Sequence, residues 1–309
     1  MATIEIICNI DHNFVKYCGV MLTSLFENNR NEKFHIHIFA TDLNNKAQRI
    51  LSDITERKYR QQLTFHFIGD ELPANLPAIV AGSHITAATY IRCFMMPHLS
   101  PDMHKALYLD CDIIVLGSIR PLWDTDISDY ALAAVEDQTG NDPAHYTSLD
   151  MNPDSLYFNA GIMLINLDYW RKHDAQQQMS QCMKDYNNRI VQHDQDVLNR
   201  IFEGKVLELP MRWNMQDFMV RRKLKTRRNT SEQRRTELPA TVIAHFNGRK
   251  KPWQAKCINP FKKEYEKYLD MTQWKGERPH TSLAFRINRL TFPIAGMLGL
   301  KNTYVRVRR

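Results

Sequence analysis

Two carboxylates separated by one residue, Asp110-Cys111-Asp112, interrupt an apolar run, KALYLDCDIIVL, in which Leu107, Leu109, Ile113, Ile114 and Val115 flank them. Taking two unpaired carboxylates out of water is costly, so a cation must compensate. A hard divalent ion with oxygen ligands does this and also grips a diphosphate. A DxD triplet equally suits a turn; the apolar run before it favours the metal. Later in the chain, AHFNGRKKPW sets His245 at a strand end, followed by Gly248 and the cations Arg249, Lys250 and Lys251. A strand-end imidazole can complete an oxygen-rich metal site. A glycine turn exposes backbone N–H groups, and Lys251 offers a point charge to phosphate. A lone histidine is otherwise a packing or surface residue.

Three further segments carry polar groups beside apolar runs. In CNIDHNF, Asp11 could accept from a base, Asn13 could meet ribose hydroxyls and Phe14 could stack, although Asx residues after a strand also form turns and caps. YFNAG offers Asn159, and HDQDVLN offers Asp194, Gln195 and Asp196. Such groups discriminate sugar hydroxyls; acids at a helix start also simply complement its dipole. There is no GxGxxG, which argues against a dinucleotide fingerprint.

The elements that must position these residues alternate. TIEIICNI, FHIHIFAT, LTFHFIG and ALYLDCDIIVL read as strands, separated by helical stretches at Val15–Glu27, Lys46–Tyr59 and Thr86–Met96. This alternation predicts βαβ units and a mostly parallel sheet, with ligands beyond the carboxyl ends of the strands. YALAAVED reads as a strand and LYFNAGIMLINL as a strand broken at its glycine. Asp168–Asn187 and Asp194–Phe202 read as helices, residues 221–235 (RRKLKTRRNTSEQRR) as an exposed loop, and TVIAHFNG as a last short strand.

Length and composition, 309 residues with 43% hydrophobic and 24% charged, suit a folded globular chain. Six scattered cysteines without a CxxC pair suit a reducing compartment, and neither a secretory leader nor an apolar run of membrane-spanning length is visible. A cytoplasmic protein is expected. The net charge of +7 is uneven: residues 201–309 hold 25 Lys and Arg against 9 Asp and Glu. An anionic surface is one partner for such a basic part; a solvated basic face is the other reading. From about residue 255, aromatic and aliphatic residues mix with arginines, as in an interfacial segment or a helix docked on the body.

Together the DxD strand, FNAGIMLINL, HDQDVLN and HFNGRKKPW, in this order, resemble retaining glycosyltransferase family 8, and in particular bacterial lipopolysaccharide and lipooligosaccharide galactosyl- and glucosyltransferases. The resemblance implies an α/β GT-A fold: a single Rossmann-like, mixed but mostly parallel sheet flanked by helices over residues 1–254, with a basic, helical C-terminal appendage over 255–309. It implies a UDP-hexose donor and Mn²⁺ or Mg²⁺ held by Asp110, Asp112 and His245. Asp11, Asn13 and Phe14 match uridine-binding positions, Gly248 and Lys251 match diphosphate contacts, and His84 touches the diphosphate. Arg92, Asn159, Asp194 and Gln195 match donor-sugar positions. Where family members commonly carry Asp after the strand matching YALAAV, this chain has Glu136-Asp137, so either acid is placed to meet the acceptor. Retention of configuration follows either from a carboxylate nucleophile, for which Asp194 is the candidate, or from attack on the face the diphosphate leaves. The expected acceptor is a saccharide, lipopolysaccharide core or another lipid-linked glycan. The enzyme would sit peripherally on the inner face of the cell membrane through its C-terminal segment, without a nucleic-acid partner. Two other readings are a basic nucleic-acid-binding protein and a non-catalytic sugar-nucleotide binder. The first lacks the extra acids of a two-metal site and aromatic residues interleaved with its basic loop.

Overall fold

A computed structural model describes residues 2–73, 76–77, 87–280, 303–305 and 307. The chain forms two compact units. The first comprises Met1–Val15, Asn31–Cys111 and Ile119–Leu209, the second Lys16–Arg30, Asp112–Ser118 and Pro210–Arg309. The strands are β1 (Ile4–Ile10), β2 (Phe34–Ala40), β3 (Gln62–Phe67), β4 (Lys105–Leu109), β5 (Ile113–Val115), β6 (Leu132–Glu136), β7 (Phe158–Asn166), β8 (Val206–Glu208) and β9 (Ile243–His245).

The first unit is built on a seven-stranded sheet in the order β3-β2-β1-β4-β7-β6-β8. Its pairs are parallel except β4 with β7 and β6 with β7. The mixed, mostly parallel α/β sheet flanked by helices is therefore as the sequence predicts. Residues of β4 and β7 are buried almost without a break, as expected where both faces are covered. Around them pack Tyr90, Trp170, Leu198 and Phe202, each fully buried aliphatic or aromatic side chain contributing roughly 1.5–3 kcal/mol. Since β2 and β3 lie on one side of β1 and β4 on the other, the order in which strands are added reverses between β1 and β4, which run parallel. In open α/β sheets such a switch point opens the crevice in which ligands sit. Asp11 follows β1 and Asp110 follows β4.

Four local expectations are corrected. ALYLDCDIIVL is not one strand: β4 ladders with β7, whereas β5 pairs antiparallel with β9, Ile113 opposite His245. The break falls on Asp110-Cys111-Asp112, where side chains poorly suited to a strand interior end one ladder and begin another. β7 runs unbroken through Gly161; the irregularity lies instead in β6, where the register shifts between Ala134 and Glu136, re-aiming the residues that follow. Asp168–Asn187 is two helices, Leu167–Lys172 and Ala175–Asp185, divided at Asp174, whose backbone is left-handed at φ 47°. Within residues 221–235 a helix begins, Ser231–Glu237, because Thr230 and Gln233 form a reciprocal capping box.

In the second unit the β5–β9 pair is tied to the helix Val15–Asn28, whose Ser24 hydroxyl accepts from the Val115 amide at 2.9 Å. The FKKEYEKYLD stretch forms the helix Lys262–Leu269 with Tyr265, Tyr268 and Leu269 buried, so this part of the C-terminal segment is docked. Residues 281–302 lie outside the described residues. No helix among the described residues is long and apolar enough to cross a membrane.

Candidate active site

In the first unit a single arginine organises the polar residues. Arg92, on the 3-10 helix Ala87–Cys93, is 6% exposed. It donates to the Ala160 carbonyl at 2.7 Å and to Asp110 Oδ1 at 2.9 Å, and its Cζ lies 4.2 Å from the Tyr108 ring centre. Its Nε sits 3.0 Å from Asp194 Oδ2, an ion contact outside hydrogen-bond geometry. Burial opposes the charge on Arg92, but Asp194, Tyr108 and Asp110 outweigh it and keep the guanidinium protonated. Burial also raises the pKa of Asp194, against the pull of Arg92 and of the Thr89 hydroxyl that donates to Oδ1. Both Asp194 oxygens are thus engaged.

Asn159, second residue of β7, donates to Asp137 Oδ2 at 2.9 Å and to Gln195 Oε1 at 3.2 Å, while the same Gln195 oxygen accepts from the Ala160 amide at 3.1 Å. The helix carrying Asp194 and Gln195 starts after His193, held at φ 54° and ψ −129°. For a non-glycine residue this costs on the order of 1–3 kcal/mol. The surroundings that enforce it are visible: Asp196, fully buried, accepts from the amides of Val191 and Gln192 at 2.7 Å each and pairs with His145 Nε2 at 2.7 Å. Of the acid pair Glu136-Asp137, it is Asp137 that joins this network.

In the second unit the arrangement is inverted, with one carboxylate between two nitrogen groups. Asp112 Oδ1 lies 3.1 Å from His245 Nε2, and Oδ2 accepts from Lys251 Nζ at 2.6 Å. Burial would raise the Asp112 pKa, but the charges of Lys251 and His245 outweigh it and hold the carboxyl far below its ordinary value. His245 reaches this place because it faces Ile113 across the β5–β9 ladder; its Nδ1 is 2.9 Å from Asn214 Oδ1. That partner suits an imidazole whose Nε2 is turned to a metal. Gly248 is dictated by space, since a Cβ there would stand 2.8 Å from Asp217 Cγ. Asp217 cannot retreat, being bonded to Arg221 at 2.8 Å and to the Tyr304 hydroxyl at 2.7 Å.

The residues singled out in the sequence therefore fall into three groups. Arg92, Asp110, Asn159, Asp194 and Gln195 are assembled in the first unit. Asp112, His245, Lys251 and Gly248 are assembled in the second. Asp11, Asn13 and Phe14 occupy the turn after β1, where Asp11 Oδ1 accepts from the Asn13 amide at 2.8 Å, so the turn-forming reading of Asp11 is realised. His84 lies outside the described residues. Missed were Thr89, Tyr108, Asp196 in its clamping role, and Asn214. Tyr108 was readable, since i and i+2 share a strand face with Asp110; nothing in the sequence marks Asn214.

A switch-point α/β sheet with acids and amides after its strands has the place for a ligand beyond the carboxyl ends of those strands. The sequence profile of "Glycosyl transferase family 8" matches residues 5–257, and the chain belongs to that family. It is a glycosyltransferase. General stress protein A of Bacillus subtilis is 32% identical over 281 residues, covering 87% of this chain and 94% of the relative. A lipopolysaccharide 1,3-galactosyltransferase of Salmonella typhimurium is 28% identical over 270 residues, 86% of this chain and 77% of the relative. Among solved structures, the galactosyltransferase LgtC in complex with donor and acceptor sugar analogs superposes with a TM-score of 0.78 at 25% identity, covering 92% of this chain and 99% of LgtC.

Proposed function

We propose that the protein is a retaining hexosyltransferase that moves galactose or glucose from a UDP-sugar to a saccharide acceptor, in lipopolysaccharide core or another lipid-linked glycan. The observation that carries this reading is the inverse pairing of charges. Asp110 and Asp194 around Arg92 leave an excess of negative charge beside hydrogen-bonding amides, which suits sugar hydroxyls. Lys251 and His245 around Asp112 leave no excess of negative charge beside a glycine turn, which suits phosphate. LgtC, crystallised with donor and acceptor sugar analogs, and the Salmonella galactosyltransferase support the substrate class.

Asp110 and Asp112, one residue apart in the chain, would hold Mn²⁺ or Mg²⁺ with His245; two carboxylates and an imidazole backed by Asn214 are a fitting donor set. The ion would supply Lewis-acid neutralisation of the diphosphate. Lys251 then stabilises charge on the leaving UDP, Gly248 lets the backbone approach it, and Asp11, Asn13 and Phe14 receive the uridine. Arg92, Asn159 and Gln195 orient the hexose. Asp194, with both oxygens engaged, acts as a positioning group, which favours same-face attack over a covalent intermediate. Asp137 is assigned to the acceptor side in preference to Glu136. Catalysis is placed in residues 1–254, and the basic segment 255–309 is assigned to anionic lipid at the inner face of the cell membrane. A screen of UDP-sugars for Mn²⁺-dependent UDP release tests the reading. Turnover of UDP-galactose or UDP-glucose abolished by chelation is expected; turnover indifferent to chelator contradicts it.

A further inference from the structure

The β1–β2–β3 face of the first unit carries a second collection of ligating groups that the transferase chemistry leaves unused. Parallel register sets Glu5 of β1 beside His35 of β2, Ile7 beside His37, and Phe39 beside His66 of β3. Because side chains alternate with period two, Glu5, His35, His37 and His66 emerge on one face. Glu5 Oε2 lies 3.2 Å from His35 Nδ1 and 2.9 Å from His37 Nε2. One carboxylate oxygen and one nitrogen from each imidazole lie within 4.8 Å of one another. Four-coordinate zinc with N and O ligands at about 2.0–2.2 Å needs ligand atoms roughly 3.3 Å apart, so only small side-chain movements separate the group from coordination.

The outward nitrogens are equally arranged. His35 Nε2 lies 2.9 Å from the Thr64 hydroxyl, and His37 Nδ1 lies 3.0 Å from His66 Nε2. His66 is in turn stacked on Phe39, with ring centres 4.4 Å apart. Metal-bound histidines use such outer partners to fix tautomer and ring orientation. The Glu5 and His35 side chains are 24% and 26% exposed, which gives an ion a way in, while His37 at 9% anchors the group.

We propose that Glu5, His35 and His37 form a divalent-ion site of their own, for a borderline ion such as Zn²⁺ rather than the hard Mn²⁺ or Mg²⁺, with a fourth position open to water. The imidazole-rich donor set makes that choice, and nothing in it depends on the donor-sugar chemistry. The test is Co²⁺ titration of the chelator-stripped full chain, read by the visible absorption of four-coordinate cobalt, followed by displacement with Zn²⁺. The band is expected in wild type and in Asp112→Asn alike, with Zn²⁺ binding weakened at least about tenfold in Glu5→Gln and in His35→Gln. Both substitutions are at partly exposed positions, and an unchanged thermal midpoint in the metal-free state shows the fold is kept. Absence of the band in wild type, its survival in both variants, or its loss only in Asp112→Asn overturns the proposal and leaves a hydrogen-bonded histidine patch.

Discussion

Arg92 and Asp112 are mirror images in charge. In the first unit a buried cation serves two carboxylates and a carbonyl; in the second a partly buried anion serves an ammonium and an imidazole. The Arg92 network is nearly saturated, each amide and carboxylate holding the next, so it fixes geometry. The Asp112 cluster is held by charge, so it responds to whatever charge arrives. In the reaction proposed above, positioning of a sugar and reception of a diphosphate would make those two demands separately.

The comparison breaks most visibly at Arg92. Arg92→Met leaves Asp110 and Asp194 without their shared cation, and a loss of about 3–5 kcal/mol in denaturant unfolding is expected. A change below about 1 kcal/mol would mean the network does not hold the first unit together. Next, Gln195→Ala removes the acceptor that Asn159 and the Ala160 amide share, leaving Asn159 its bond to Asp137 and both charge clusters intact. It should lower kcat by about 10²-fold with little change in KM for the donor, as loss of orientation does. A pure KM effect would make Gln195 a binding group instead.

The smallest effect lies beneath Asp194, at the Asp196–His145 pair. Burial disfavours charge on both, but the bond between them outweighs it, raising the His145 pKa and, with Tyr157, lowering that of Asp196. A raised histidine contributes stability that is complete below its ordinary pKa and is lost as pH rises through the folded value. A lowered aspartate contributes above its ordinary pKa and loses it as pH falls through the folded value. The stability gap between wild type and His145→Gln, about 1.5–3 kcal/mol for a charge-assisted bond, should therefore be widest in mildly acidic solution and shrink as pH rises. A gap independent of pH would show that the imidazole is neutral throughout.

Much of this was legible in the sequence, for physical reasons. Strand–helix alternation and the long apolar runs dictated a mostly parallel sheet, whereas a carboxylate after an apolar strand could be read either as a site residue or as a turn-former, as Asp11 proves to be. Less legible was anything set by partners distant in sequence. The DxD run looked like one strand because β4 and β5 are equally apolar, and only their different partners, β7 and β9, separate them. Thr89 and Asn214 are ordinary residues whose roles exist only through the folded contacts they make. The capping box at Thr230 was present in the sequence but masked by the density of arginines around it.

The central claim is that Asp112 serves a cation-assisted diphosphate departure, and UDP release from UDP-hexose across a range of Mn²⁺ concentrations tests it most directly in wild type and Asp112→Asn. A fall of about 10²–10³-fold in kcat, with the thermal midpoint of the metal-free protein preserved and no recovery at high Mn²⁺, is the predicted result. Wild-type turnover by Asp112→Asn in the presence of chelator would contradict it.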